Sequence, residues 1–290
     1  MDKWADWLLH KRFGSDPAIA RDNLARLAMI RDRILSLAAI NEGETVVDIG
    51  TGDGLLGFAA LDHVGEEGTV VFSDISQDAL DFCEGFLSEG LGNGNARFLC
   101  TSAEDLSAIP SGSVDVVVGR AVLLYIAHKE QCFREYFRIL RPGGRLAICE
   151  PINRFAAEMT ASKKIFFGFD FTPLGSLGDR ILSQFHFPPD YTNDPMLNFD
   201  ERDMLGMIRS AGFREITMQY EASMRDNLKW PSWQAFLKSA PNPTVPSLAE
   251  VAAGFTPEEA QQFEAYFRPL VEHGTAVQSY AEVYFRAEKR

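Results

Sequence analysis

Cysteine and histidine are scarce in this 290-residue chain, with four of the first and five of the second. Cys83, Cys100, Cys132 and Cys149 form no C-x-x-C pair and have no histidine at ligand spacing. That argues against a zinc site and a disulfide framework, and for reduced thiols in a reducing compartment. Positive charge is also short. The 28 lysines and arginines face 41 acids, a formal net charge of −13. Such a balance repels polyanions, so nucleic acid and acidic membrane surfaces are excluded as main partners. No apolar run approaches membrane-spanning length, and Met1-Asp2-Lys3-Trp4 is not a basic-then-apolar leader. The expectation is a soluble cytoplasmic protein. No internal repeat or low-complexity tract is visible.

What is present is an alternation. Residues 2–12 and 17–38 read as helices, the second with Asp16 as N-cap, Pro17 at the first helical position, and Ala20, Leu24, Leu27, Ile34 and Ala38 at helical spacing. Short apolar strands then alternate with amphipathic helices. The strands are Thr45–Gly50, Thr69–Asp74, Ala96–Thr101, Val114–Ala121 and Gly144–Glu150. Continuous apolar strands separated by helices are what a doubly covered parallel sheet requires. From 151 to 200 the text is rich in Phe, Pro and Gly and shows no convincing strand. A helix at 200–211 leads to strand text at Arg214–Ala222, and a helical, proline-punctuated stretch precedes a last strand at Thr275–Arg286. This predicts seven strands. The organisation is an N-terminal helical segment (1–40), a core (41–151), a cap insertion with its helix (152–212), and a C-terminal part of the sheet with a helical insertion (213–290).

The stretch VVDIGTGDGLLGF, residues 46–58, is a strand, a glycine loop and a helix start. Such a loop lets backbone N–H groups approach a ligand, with the helix N-terminus adding a favourable dipole. Asp74 lies twenty residues beyond Gly54 at the next strand end, where an acid binds ribose hydroxyls. Both features suit either of two adenosine-bearing cofactors, NAD or S-adenosylmethionine (SAM). Gly52–Gly57 is a formal G-x-G-x-x-G, but Asp48 and Asp53 flank the loop, where a pyrophosphate is unwelcome and an ammonium or sulfonium is not. The loop favours a cationic ligand.

VVDIGTGDG, VVFSDIS, TSAEDLSAIPSGSVDVVVGRAVLLYI and EYFRILRPGGRLAICEP together resemble the ordered motifs of class I SAM-dependent methyltransferases. Within that family the text is most similar to the small-molecule branch that contains ubiquinone/menaquinone-biosynthesis enzymes. The resemblance covers about residues 45–151. It implies an α/β fold, a Rossmann-like, seven-stranded, mostly parallel sheet with an antiparallel last strand, N-terminal helices and helical cap insertions, and SAM as cofactor. Carried over by position, Gly50, Thr51, Gly52 and Gly54 wrap the methionine end and Asp48 faces the ammonium. Asp74 takes the ribose, Ile75 packs beside the adenine, and Ser102 and Ala103 stand at the adenine edge. There the family commonly has Asp, so Ser102 is a departure, with Glu104 as substitute. Arg120 is suited to the SAM carboxylate or to an anionic substrate.

Methyl transfer is an in-line displacement that needs an aligned nucleophile and, where that nucleophile is protonated, a base. Tyr125, His128 and Glu150 are the candidates. Tyr125 reads as a methyl-site wall or as core, and His128 as catalytic or as an exposed helix-capping residue. Glu150, at the ligand edge of the sheet, reads as a base or as a structural ion pair. The aromatics from Phe155 to Tyr191, Phe166, Phe167, Phe169 and Phe171 among them, form either the cap's own core or an apolar pocket over the methyl group. Asp170, His186 and Asp190 are too irregularly spaced for a metal, and none is expected. Trp4, Trp7 and Leu8 share a helix face that packs on the cap, closes over SAM or meets a second copy in a homodimer. His10, Lys11 and Arg12 read as a wet helix end. The function expected is methyl transfer to a small, apolar or aromatic/isoprenoid-like acceptor. An NAD(P)-dependent oxidoreductase and a non-catalytic SAM-binding protein are the alternatives.

Overall fold

The computed structural model describes residues 1–12, 17–89, 95–160 and 164–290, with backbone only for 17–22. Nine strands occur among the described residues. The main sheet is made of β1 (Thr45–Ile49), β2 (Thr69–Asp74), β3 (Asn95–Cys100), β4 (Val114–Arg120), β5 (Leu140–Pro151), β8 (Arg214–Leu228) and β9 (Ala276–Glu288). A separate small hairpin is made of β6 (Ile165–Phe166) and β7 (Phe169–Asp170). The main sheet runs β3-β2-β1-β4-β5-β9-β8. Neighbours from β3 to β5 are parallel, and β9 lies antiparallel to both β5 and β8. The expected seven-stranded Rossmann-like sheet with an antiparallel last strand is present.

Strand alternation decides which helices cover which face. Val47, Val117, Leu146 and Ile148 point to one side. There they bury against Cys132, Phe133 and Tyr136 of α5 (Lys129–Ile139) and Met204 and Ile208 of α8 (Glu201–Ala211). Val46, Val116, Val118 and Ala147 point to the other. They meet Ile30 and Ile34 of α2 (Pro17–Ala38) and Leu56 and Ala60 of α3 (Leu55–Val64). With both faces covered, the central strands read as unbroken apolar runs. Asp16 lies outside the described residues, and Leu24, at helical spacing in the sequence, is half exposed.

Three elements differ from the sequence expectation. The first helix is α1 (Lys3–Asp6) passing into a π-helical turn over Trp7–Lys11, closed by Arg12 N–H on the Trp7 carbonyl at 2.7 Å. The stretch expected to lack strands holds the β6–β7 hairpin, which is too short to register as alternation. Strand β8 runs six residues beyond Ala222 because β9 supplies its ladder, although Arg225-Asp226-Asn227 has no apolar pattern.

The aromatic residues of 165–187 pack with those of the second insertion. Phe169 and Phe171 bury against Phe236 of α9 (Trp233–Lys238) and Phe263 and Phe267 of α11 (Pro257–His273), with Phe171 and Phe267 centroids 4.6 Å apart. Each such buried ring contributes roughly 1.5–3 kcal/mol by area alone. Two insertions far apart in sequence thus share one satellite core. No helix among the described residues is long and apolar enough to cross a membrane.

Candidate functional site

The glycine loop leaves β1 at the carboxyl edge of the sheet. Gly50, Gly52 and Gly54 have φ of +61°, +57° and +81°. At Gly50 a Cβ would also lie 2.4 Å from Val122 Cγ2, so the turn excludes any side chain there. Thr51 Oγ1 donates to Asp48 Oδ2 at 2.6 Å, and Gly52 N–H donates to Asp74 Oδ2 at 2.9 Å. The other oxygen of Asp74 accepts from Ser76 N–H at 2.9 Å. The aspartate thereby ties the loop to the end of β2. Burial pushes the Asp48 carboxyl up to about 7, against the Thr51 and Gly57 hydrogen bonds and helped by Asp74 and Asp53. Asp74 is raised for the same first reason, opposed by its backbone donors.

A cavity of about 300 Å³ opens on this loop. Asp48, Gly50, Thr51, Gly52, Asp74, Ile75, Ser102, Ala103, Arg120 and Tyr125 all line it, as do Asp53 and Glu104. Gly54 is not among the lining residues; its left-handed backbone starts α3. Ile75 is 53% exposed, Ala103 is buried, and Ser102 Oγ accepts from Glu104 N–H at 3.1 Å.

Two of the three candidate catalytic groups are elsewhere. His128 is exposed at the N-cap of α5 and does not line the cavity. Glu150 is 1% exposed and also does not line it. Its Oε1 accepts from Val122 and Leu123 N–H at 2.8 and 3.0 Å, and its Oε2 from Leu124 N–H at 3.4 Å. The expected base is therefore a buried brace under the turn that follows β4. Burial pushes its carboxyl up to about 7, with those three donors and Arg120 pulling the other way. On the same turn, buried Lys129 donates to the Ile126 and Pro195 carbonyls, each at 2.8 Å. Tyr125 alone of the three lines the cavity. Its phenol is pushed up to about 12 by burial, and by Glu150, against Arg12 and Arg120.

The roof comes from the N-terminus. Trp4, Trp7, Leu8 and Arg12 line the cavity, and Trp4 meets the Tyr125 ring edge-to-face at 5.0 Å. Asp2 caps α1 by accepting from Trp4 and Ala5 N–H, and it also accepts from Ser76 Oγ at 2.7 Å. Trp7 Nε1 donates to the Ala240 carbonyl at 3.0 Å, tying the roof to the second insertion. Arg12 is not the wet helix end that its neighbours in sequence suggest. Its side chain is 14% exposed, 3.9 Å from Asp53, with Trp7 beneath it. Phe166, Phe167, Phe169 and Phe171 belong to the satellite core and do not line the cavity. Among the described residues no cluster of three or more His, Cys, Asp or Glu could hold a metal.

Comparison with known proteins gives a family match, two relatives and a shared fold. Residues 40–178 match a family model described as a methyltransferase domain. The ubiquinone/menaquinone biosynthesis C-methyltransferase of Azotobacter vinelandii is 30% identical over 189 residues, 63% of this chain and 71% of that protein. Its counterpart in Ectopseudomonas mendocina is 31% identical over 63% of this chain and 70% of that protein. The solved YcgJ protein of Bacillus subtilis shares the fold at a TM-score of 0.55 and 15% identity, over 90% of this chain and 97% of that one.

Proposed function

Since the chain belongs to the class I SAM-dependent methyltransferases, we propose that it carries the methyl group of SAM to a small, largely apolar acceptor of aromatic or isoprenoid-like character. The observation that carries this reading is the cavity's composition. Its floor is a polar loop, and its roof is Trp4, Trp7, Leu8 and Tyr125. The relatives act, by name, in ubiquinone and menaquinone biosynthesis, which favours an acceptor of that character.

The residues present fit the cofactor. Asp74 offers its remaining lone pairs to a ribose at the end of β2, beside the half-exposed Ile75. Ser102 Oγ keeps one lone pair beyond Glu104 N–H, so the adenine amino group falls to Ser102 or to Glu104, with Ala103 alongside. Asp48 and Asp53 stand where Gly50, Thr51 and Gly52 would wrap the methionine end, with Gly54 holding the turn and Arg120 across from them. SAM supplies an activated methyl on a sulfonium. The chain aligns the acceptor for attack, excludes water under the tryptophans, and offers a Tyr125 hydroxyl that stays protonated at neutral pH. Glu150 does not act as base in this reading; the acceptor's nucleophilic atom would be aligned at about 3–3.5 Å, and the proton that a phenol or hydroquinone gives up would pass to a carboxylate lining the cavity, such as Asp48, or to water at its mouth. Glu150 positions the turn that carries Tyr125.

The test is calorimetry with SAM, followed by transfer of labelled methyl to hydroquinones and apolar phenols alongside hydrophilic amines. SAM binding with turnover on the apolar set is expected. Turnover confined to the hydrophilic amines would overturn the acceptor class, and SAM binding without any turnover would favour a non-catalytic binding protein.

A further inference from the structure

We propose that the outer edge of β8 pairs, antiparallel, with β8 of a second copy of this chain, joining two sheets about a twofold axis through Ser223. This goes beyond the methyl-transfer reading and does not rest on it. Strand β8 borders the main sheet, and among the described residues no strand pairs with its outer edge. It is 15 residues long, against about 5–6 for an ordinary strand. Ile216, Met218, Tyr220, Ala222 and Met224 share one face, and Thr217, Gln219, Glu221, Ser223 and Arg225 share the other. On the apolar face the core stops at β9. There Ala281, Val283 and Phe285 are buried, whereas their β8 partners Ala222, Tyr220 and Met218 are exposed, the last two at 37%. Met224, further along the same face, is 63% exposed. A long border strand with bare N–H and C=O groups and a wet apolar face is a template for another strand.

The charges say which strand. Bulges blunt β8 only at its ends, where its register against β9 shifts between Arg214 and Thr217 and between Arg225 and Leu228. Between them Thr217–Arg225 pairs without a break and holds one acid, Glu221, and one base, Arg225, both on the polar face. With Ser223 on the axis of an antiparallel self-pairing, each Glu221 stands opposite Arg225 of the other copy, so opposite charges meet twice. An axis through Glu221 would set like charges against each other. Glu221 is 58% exposed and gives one oxygen to Arg33 at 2.6 Å, which leaves the second for Arg225. On the apolar face the same register sets Met224 opposite Ala222 and diagonal to Tyr220 of the other copy, within reach of long and aromatic side chains. From Arg214 to Lys229 three bases offset three acids, so β8 is a neutral stripe on a chain of net charge −13. Two copies can approach along it without the repulsion that the net charge imposes on the rest of the surface.

The experiment is sedimentation velocity from low micromolar to about 100 µM protein, with wild type, Arg225→Glu, the double exchange Glu221→Arg/Arg225→Glu, and Met224→Lys. Circular dichroism checks that each variant is folded. Wild type should be a dimer. Arg225→Glu turns two matched pairs into two repulsive ones and should raise the dissociation constant roughly 10-fold or more. The double exchange restores both pairs with their signs reversed and should return to within about threefold of wild type. Met224→Lys places a charge in the apolar seam and should leave the chain monomeric. A wild type that stays monomeric across the range overturns the proposal. So does a dimer that Arg225→Glu and Met224→Lys leave intact, because another face then joins the copies. A double exchange as weak as Arg225→Glu alone overturns the pairing through Ser223.

Discussion

Replacing Glu150 with glutamine separates a brace from a base. The folded carboxyl holds its proton to about pH 7, whereas the unfolded chain releases it near 4.5. Between those values the folded state binds more protons, so this group's contribution to stability is complete below pH 4.5 and falls as pH rises through 7. At about 1.4 kcal/mol per pKa unit the loss amounts to at most roughly 3 kcal/mol. Glutamine keeps one acceptor oxygen for the two short bonds from Val122 and Leu123 and loses only the long one from Leu124. It carries no charge to desolvate. The stability of Glu150→Gln relative to wild type should therefore climb across pH 4.5–7 and level off above, as read from urea unfolding at fixed pH values. Its turnover should stay within about threefold of wild type, where loss of a general base costs roughly 10²–10⁴-fold. Parallel stability curves, or a hundredfold loss of turnover in a well-folded variant, would refute the reasoning.

Asp74→Ala should weaken SAM by roughly 1.5–3 kcal/mol in calorimetry while the chain stays folded, since the lost hydrogen bonds lie at the ligand edge. Gly50→Ala should abolish measurable SAM binding, because φ is +61° and the new Cβ meets Val122; unchanged affinity would mean the loop is not the cradle. Phe267→Ala should lower stability by roughly 3–5 kcal/mol, the cost of emptying an aromatic site in a core. SAM affinity should be unchanged there, and a matching drop in affinity would place the satellite at the site after all. Trp4→Ala removes an aromatic pair worth about 0.5–1.5 kcal/mol and should speed SAM release in stopped-flow measurements.

The glycine loop and Asp74 were legible because their chemistry is local. A strand, a turn that demands glycine and an acid one strand later are neighbours in sequence and in space. Glu150 was legible as special but not as a brace. A carboxylate ending an apolar strand reads the same whether it faces a ligand or three N–H groups that only folding brings beneath it. Arg12 was hidden by His10 and Lys11, since a basic run at a helix end looks solvated until the helix is laid over the cavity. The phenylalanines of 165–187 read from sequence as either a core of the cap or pocket walls, and they form a core, though one shared with a second insertion. Their partners begin at Trp230, and no periodicity links the two stretches. The polar end of β8 carries no strand pattern of its own, because its pairing comes from β9.

The position of β9 between β5 and β8 has a consequence for how the chain is made. A ribosome delivers β1 to β5 first, and these five can zip together in order. Strand β8 then emerges with nothing beside it, because β9, the strand that joins it to β5, is made only after it. During that interval one edge of β5 and both edges of β8 offer bare N–H and C=O groups to any passing strand. Insertion of β9 caps the β5 edge and one edge of β8 at once, leaving the other edge of β8 as the border of the sheet. Translation of β9 is thus the step that converts an aggregation-exposed intermediate into the complete seven-stranded sheet, and slow or interrupted synthesis there should cost more soluble product than the same delay anywhere between β1 and β5.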